Sequence, residues 1–517
     1  MLLQKIRALI LALLIACLST PVQARTHATD ILIPVERFTL IGEWPLDRAM
    51  ATQWLEQHTG KQHSLSSLQT VVSALNAHIR AQGFTFYRIF LPKQPLGNGN
   101  ITLTSVAFTL GQIEIQGNRF YDDDNLRQSL PSLIEGASPN TEQLAADLKV
   151  AAHHPRKDLR LLFKQSKTPD QVDAVVKVQD AKADHINFSL SNTGSDDTGD
   201  YRFTSSYQHA NLWQQDHILN LSLTTSPDHL KEVRQYGGSY ALPWYAQGAW
   251  LTAYAFRSDV DTGIVAEVFE VSGAGTTLGL HYLQHIPRLG SWEHWLDLGL
   301  DSRLFENDIQ LNKVQLGTDV RSAPISVLYK AEYPWQSLNL SAYVQLHLNT
   351  GWGSDNNAKT YAASRVNADQ YWGRLNIGVN ARKRYLGWVY QSQFAAQYTP
   401  DALISGEQFG LGGSTSIRGY KEREISTDIG VSLTLEATSP TYYHMNLAGF
   451  IDYGWGQQQD VQLGDPFKSI HIAAIGLGLR WQYTPLLVRL DLAHALNPGI
   501  DTQAGDNRVH GVVSLHF

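Results

Sequence analysis

The sequence predicts a multidomain chain in which two α+β units of the order β-α-α-β-β precede a 16-stranded antiparallel transmembrane β-barrel. Three observations carry that expectation. Between residues 31 and 181, helical and strand periodicities occur twice in the same order. From His185 to Phe517 the helical period gives way to alternating apolar and polar residues. The connections in that second half alternate between short ones and long, polar ones, as the two faces of an outer-membrane barrel require.

Composition agrees. The chain has 517 residues and a net charge of −7, which gives no footprint for a nucleic-acid partner. A negative mean hydropathy excludes a bundle of membrane helices but not a barrel, where only every second strand residue meets lipid. The 13 Trp, 22 Tyr and 17 Phe supply enough aromatic side chains for girdles at two interfaces. Residues 1–24 read as a signal peptide: Lys5 and Arg7 are basic, Ala8 to Leu18 are mostly apolar, and Val22-Gln23-Ala24 is a cleavage site. The apolar run is too short to span a bilayer. Leu14-Ile15-Ala16-Cys17 also matches a lipoprotein cleavage box, so cleavage before Cys17 is the alternative. Cleavage after Ala24 leaves a mature chain without cysteine, and so without disulfides.

The first α+β unit covers residues 31–106. Val35 to Glu43 is a strand, and helices follow in "PLDRAMATQWLEQHTG" and "SLSSLQTVVSALNAHIRAQG". In the second helix Leu68, Val71, Val72, Leu75 and Ile79 recur at helical spacing, with Ser64 as N-cap and Gly83 as terminator. Phe84 to Lys93 and Asn100 to Val106 are the closing strands. The second unit, residues 107–181, repeats the order: a strand from Phe108 to Asn118, helices in "DDDNLRQSLPSL" and "NTEQLAADLKVAAHH", and strands in "RKDLRLLFKQ" and "QVDAVVKVQD". Such sheets leave open edges to which a peptide can add as an extra strand.

The barrel is expected over residues 185–517, with strands starting near 186, 199, 215, 231, 247, 265, 291, 322, 337, 370, 386, 424, 445, 470, 485 and 508. Ile186, Phe188 and Leu190 face lipid while Asn187, Ser189 and Ser191 face the lumen. The same parity puts Leu447, Ile451 and Tyr453 outside and Phe450 and Asp452 inside. It also sends Glu436 inward, beside outward Val431, Leu433 and Leu435. With the α+β units in the periplasm, the odd connections point outward. These are long, such as residues 193–200, 305–322, 349–371 and 497–508, whereas the even ones are as short as "YPWQ", "KRYLG" and "QYTP". The chain ends on "VVSLHF", with Phe517 as a terminal aromatic of the kind read by a barrel-assembly machinery.

Phe409 to Glu424, "FGLGGSTSIRGYKERE", is a glycine-rich loop at about 400–424 between two strand patterns. It lacks the phosphate-binding pattern, and no helix pattern follows Gly419. With the signal peptide, the two repeated units and the barrel, Ile417-Arg418-Gly419-Tyr420 in this loop and Phe450-Ile451-Asp452 on strand 13 resemble the two-partner secretion transporters (TpsB), the haemolysin secretion/activation family. The resemblance implies that the repeated units are POTRA domains that capture a secretion signal. It further implies that a large, unfolded exoprotein (TpsA-type) leaves through the barrel without ATP, either activated in passage, as in haemolysin secretion, or simply exported. The loop then folds into the lumen, and Arg418 contacts Asp452, with Glu436 as the rival carboxylate. Relatives often carry an N-terminal plug helix. Only about ten residues separate Ala24 from Val35, so none is expected here, and the folded-in loop, alone or with outer loops, has to restrict the pore.

The implied partners are the exoprotein, the barrel-assembly machinery and outer-membrane lipids, with no cofactor, metal or catalytic residue. An enzyme lacks support, because neither G-x-S-x-G nor H-E-x-x-H occurs and His153-His154-Pro155 reads as an ordinary helix end. An outer-membrane protein assembly or insertion factor of the same POTRA-barrel plan is the alternative reading.

Overall fold

The computed structural model describes residues 32–195, 198–230, 233–259, 263–265, 269–271, 274–306, 310–311, 314–315, 318–335, 337–461 and 466–517. The signal peptide, and most of the segment expected to lack a plug helix, lie outside the described residues. The chain forms two compact units. The first comprises the residues up to Leu110 with Gly136–Thr141 and Lys167–Gln171, and the second comprises the remainder through Phe517.

The first unit contains β1 (Ile33–Val35), β2 (Arg37–Gly42), α1 (Arg48–Glu56), β3 (Lys61–His63), α2 (Leu65–Ala81), β4 (Tyr87–Phe90) and β5 (Asn100–Ala107). Its sheet runs β2-β5-β4, with β2 parallel and β4 antiparallel to β5. β1 and β3 form an additional antiparallel pair. Ser64 caps α2 by accepting from the Ser67 amide at 3.2 Å, which satisfies one of the free N–H groups of the first turn. The apolar stripe Leu68, Val71, Leu75 and Ile79 is buried against Ile89, Ile101 and Leu103 of the sheet. Asn76 fixes the helix to β4, since its side chain accepts from Ile89 N at 3.0 Å and donates to Ile89 O at 2.8 Å. β4 is shorter than the alternation suggested because Phe84 N still bonds back to Ile79 O at 3.1 Å.

The second set is β6 (Thr109–Gln116), α3 (Asp123–Gln128), α4 (Thr141–Ala151), β7 (Lys157–Gln165) and β8 (Gln171–Asp180), with sheet order β6-β8-β7. In both sets the third strand lies between the first and second. Asp122 caps α3 by accepting from Asn125 N at 2.8 Å. The helix stops before Pro131, whose ring and missing N–H cannot extend it.

Sixteen strands close the barrel among the described residues. In order they are Asp184–Ser191, Arg202–Leu212, His217–Thr225, Arg234–Trp244, Ala249–Ser258, Gly275–Leu289, Trp292–Phe305, an eighth interrupted at Ala323 (Val320–Ser322 and Pro324–Trp335), Leu338–Asn349, Gly373–Tyr385, Trp388–Tyr398, Ile429–Thr438, Met445–Gln457, Ser469–Tyr483, Leu486–Ala495 and Asn507–His516. Strand 1 pairs antiparallel with strand 16, from Asn187 opposite His516 to Ser191 opposite Val512. Parity holds: Leu447, Ile451, Tyr453, Leu477 and Leu492 are exposed on the outside, whereas Asn187, Phe450, Asp452 and Asp491 are buried.

Two strand starts differ from the sequence expectation by more than a shift of the strand ends. Strand 6 begins at Gly275 rather than near 265, because Gly263–Val265 pairs with Phe269–Val271 instead of with the barrel. Strand 12 begins at Ile429 rather than near 424, because Ile425–Thr427 pairs with Phe409–Leu411.

The second α+β set packs on the short, even connections of the barrel, the side expected to face the periplasm. Val150 of α4 lies with Ala210, Ile218, Trp250 and Trp295 in one apolar cluster, and Trp250 Nε1 donates to Val150 O at 3.2 Å. Lys157 is buried, in an ion pair with Asp216 of the turn between strands 2 and 3. Its ammonium also donates to Asn125 Oδ1 at 2.9 Å and Ser129 Oγ at 2.7 Å, and Tyr245 donates to Asp216 at 2.7 Å. His153 and His154 do lie in the turn that ends α4, but His154 is buried with Nε2 2.6 Å from Ala210 O, and the ring of His153 lies against Trp250 and Trp295. Burial pushes the His154 imidazolium down to about 4, against the pull of Asp216.

Candidate functional site: the lumenal loop

The chain between strands 11 and 12 turns into the lumen as a hairpin. Phe409–Leu411 pairs antiparallel with Ile425–Thr427, and the glycines beyond let the tip fold back sharply. Gly412 has φ +105°, and a Cβ there would sit 2.6 Å from Lys421 O, so no larger residue fits this crossing. Gly419 has φ +95°, and its N–H donates to His510 Nε2 at 3.0 Å.

The tip is seated on the wall formed by strands 12 to 16. Ile417 and Tyr420 are fully buried with Leu411, Ile425, Ile472, Ala474 and Ala495. Tyr420 donates its hydroxyl to Asn497 O at 2.7 Å and accepts from Ala473 N at 3.2 Å. Between these two apolar anchors, Arg418 points into a carboxylate cluster and is 2% exposed. Its Nε donates to Asp452 Oδ2 at 2.8 Å and its Nη2 to Asp452 Oδ1 at 2.9 Å, a forked geometry that a planar guanidinium suits. Its backbone N–H reaches Asp452 Oδ2 at 3.1 Å. Nη1 donates to Glu436 Oε2 at 2.7 Å. Asp452 and Glu436 are therefore simultaneous partners on different edges of one guanidinium, not rivals. Phe450 completes the seat, with the guanidinium carbon 3.3 Å from its ring centroid.

Sequence reasoning missed how far the cluster extends. Asp491 lies 3.7 Å from Arg418 Nη1, 2.6 Å from Arg480 Nη1 and 2.8 Å from Arg489 Nε, and Arg480 also reaches Glu436 at 3.3 Å. The signal was present, since the alternation of strands 14 and 15 turns Arg480, Arg489 and Asp491 inward.

The base of the loop was missed altogether. Glu407, fully buried in the turn Ser405–Glu407, accepts from Arg303 of strand 7 and lies 2.9 Å from Arg374 of strand 10. Asp428, at the foot of strand 12, accepts from Arg365 at 2.5 and 2.8 Å, and from the amides of Leu403 at 2.9 Å and Gln459 at 2.8 Å. Arg365 follows α5 (Ala358–Ser364), which belongs to the long connection between strands 9 and 10. Tyr361 and Trp372 of that connection are buried with Leu403 and Ile404. An outer loop thus grips the root of the lumenal one. Phe517 stands apart from this cluster. Its backbone exchanges hydrogen bonds with Ile186 at 2.9 and 3.1 Å, and its ring lies edge-on to Phe188, extending the pairing of strands 1 and 16.

Comparison with known proteins fits this arrangement. The haemolysin secretion/activation protein family ShlB/FhaC/HecB matches residues 170–481, and the ShlB-type POTRA domain matches residues 33–106. The heme/hemopexin transporter protein HuxB of Haemophilus influenzae (strain 86-028NP) is 21% identical over 471 residues, covering 86% of this chain and 80% of the relative. The outer membrane transporter CdiB-2 of Burkholderia pseudomallei (strain 1026b) is 23% identical over 44% of this chain and 39% of its own. Among solved structures, CdiB from Escherichia coli aligns with a TM-score of 0.76 at 17% identity, covering 96% of this chain and 93% of its own. CdiB from Acinetobacter baumannii aligns at 0.71 with 19% identity, covering 100% and 98%. The chain belongs to the haemolysin secretion/activation (TpsB) family of outer-membrane transporters, with its N-terminal POTRA region in the periplasm and a 16-stranded barrel in the outer membrane.

Proposed function

We propose that the chain exports a large exoprotein of the TpsA type, captured unfolded in the periplasm through its α+β units and passed through the barrel without ATP. The observation that supports this most is the Arg418 hairpin. It is a loop tied by charge to the lumen wall of a barrel whose short-turn rim carries a folded α+β unit. A closed structural barrel has no need of such a loop, and an enzyme would need converging catalytic groups, for which the family offers no precedent.

In this reading the second β-α-α-β-β set is also a POTRA domain. The start of β7 is buried at the rim through Lys157, so β6 is the edge of that sheet left to receive an added strand, as β2 and β4 are in the first. Arg418, Asp452, Glu436 and Phe450 hold the loop tip in its seat, with Ile417, Gly419 and Tyr420 shaping it. Phe517 is the residue by which the barrel-assembly machinery recognises the chain. The test is retention of the N-terminal secretion domain of a co-encoded exoprotein by the full-length protein in detergent. Retention at micromolar concentration is expected, and its absence overturns the reading.

A further inference from the structure

The two ends of the lumenal loop are held by different walls. The tip meets strands 12 to 16, through Glu436, Asp452, Ala474, Asp491 and His510. The base meets strands 7, 10 and 11. There Glu407 is clamped by Arg303 and Arg374, while Gln397 donates to its backbone carbonyl at 3.2 Å. The loop therefore crosses the lumen, and the two attachments are unequal. The tip buries two apolar side chains and a multiply bonded arginine. Toward strands 7 and 10 the base is held by one carboxylate between two arginines, and Arg303 has a second partner in Asp301 at 2.6 Å, whereas Asp428, Leu403 and Ile404 fix its root to the outer loop instead.

Open space lies on both sides of the loop, about 310 Å³ of it beside the tip and more beside the clamp. A cavity of about 490 Å³ runs beside the clamp, lined by Tyr254, His281, Tyr343, Gln345, His347 and Arg374, from strands 5, 6, 9 and 10. Three of its polar atoms, Arg374 Nε, His347 Nδ1 and Asn376 Oδ1, are buried and have no partner among the described residues. A buried polar atom is costly to leave unmade. A guanidinium donor, an amide acceptor and an imidazole nitrogen on the paired strands 9 and 10 suit the N–H and C=O groups of an extended polypeptide.

We propose that these residues form the conduit for the exported chain, and that Glu407, not Arg418, is the part of the loop the chain displaces. This rests on the export reading and adds a route to it. The tip stays seated. The passing polypeptide separates Glu407 from Arg303 and Arg374, whose freed guanidinium groups then meet its carbonyls and carboxylates. Glu407 is a positioning residue. Gly406 admits this close fit, since a Cβ there would meet the Phe305 ring at 2.1 Å.

Single-channel recording of the full-length protein in planar bilayers tests the route without any exoprotein. Glu407→Gln should lengthen the open time about tenfold or more, because it leaves two lumenal arginines short of a counter-charge. Glu407→Asp keeps the charge and should stay near wild type. The only cysteine, Cys17, lies in the expected signal peptide, so single-cysteine reporters are clean. On the Glu407→Gln background, a cationic thiosulfonate reagent should block current at Gln345→Cys and spare it at Thr415→Cys on the tip side. Wild-type open time in Glu407→Gln overturns the proposal, and so does block confined to Thr415→Cys. If Glu407→Gln fails to insert as a heat-modifiable barrel, Arg374→Gln opens the same clamp from the wall and is read the same way. Loss of exoprotein binding with these gating results intact would instead refute the export reading alone.

Discussion

Replacing Arg418 with alanine removes one guanidinium from two carboxylates. Asp452 is fully buried, and its oxygens take the Arg418 Nε, Nη2 and backbone N–H; after truncation only the backbone donor remains among these. Glu436 loses a 2.7 Å contact but keeps Arg480 at 3.3 Å. An uncompensated buried carboxylate costs about 3–5 kcal/mol, and water in the lumen lowers that figure. Taking about 3 kcal/mol, the seated tip becomes roughly two orders of magnitude less favoured. Arg418→Ala should therefore cut secretion at least tenfold in a culture-supernatant assay, while the protein still inserts and shows heat-modifiable migration. The same inventory ranks the partners, with Asp452→Asn expected to do more harm than Glu436→Gln. Arg418→Lys should rescue partly, because an ammonium keeps the charge but loses the fork. The reciprocal exchange Arg418→Asp with Asp452→Arg should recover only part of the loss, since the carboxylate introduced on the loop would face Glu436. Wild-type secretion by Arg418→Ala would refute the reasoning, and a Glu436→Gln defect exceeding that of Asp452→Asn would show that the wrong carboxylate dominates.

Other outcomes follow from the rim and the first domain. Lys157→Met leaves Asp216 buried without the lysine's counter-charge, with only neutral donors such as Tyr245 and Asn125, so it should destabilise the rim contact by about 3 kcal/mol, whereas Lys157→Met with Asp216→Leu should cost less; tryptophan fluorescence during thermal unfolding, through Trp250 and Trp295, reads both. His154 is held at about 4 in the folded protein, below the ordinary histidine value, so the unfolded chain takes up its proton first; stability should fall by roughly 1.4 kcal/mol per pH unit between about 6.5 and 4, and His154→Gln should flatten that slope. A fragment of residues 32–107 has its own core and should fold alone, and Ser64→Ala should lower its stability by about 1 kcal/mol in urea unfolding.

Most of this architecture could be read from the sequence because each element has a period. Leu68, Val71, Leu75 and Ile79 can bury one face only as a helix, and Ile475, Leu477 and Leu479 can meet lipid together only as a strand. The register errors arose where a strand pattern had two possible partners. Ile425–Thr427 alternates well enough for the barrel but pairs with Phe409–Leu411, and no local signal distinguishes these choices. The Arg418 seat was visible through a motif and the parity of strand 13, which turned Asp452 inward. Glu407, Asp428 and Arg365 were not, because their meaning depends on which loop meets which wall. Lys157 and His154 were hidden for the same reason: a lysine opening an ordinary strand and a histidine at a helix end give no sign that a barrel turn covers them.

The charges of the loop also explain why it takes one seat. At the tip the loop presents a cation to wall carboxylates, and at the base it presents the carboxylates Glu407 and Asp428 to arginines. A loop of a single sign could slide along a wall of the opposite sign with little change in energy. With opposite signs at its two ends, a shifted or reversed seating places Arg418 near Arg303 or Arg374 and Glu407 near Asp452, so like charges meet in a confined space. Ionic contacts suit a loop that must also yield. A buried pair contributes little net stability over an apolar one of similar shape but strongly penalises wrong partners. Its halves can also be taken up by water or by a passing polypeptide. The apolar residues Ile417 and Tyr420 keep the seat at the tip, and Leu403 and Ile404 pack the root of the loop against the outer connection. At the base the clamp itself is charge on charge, and that is where a gate in a wet channel can open and close again.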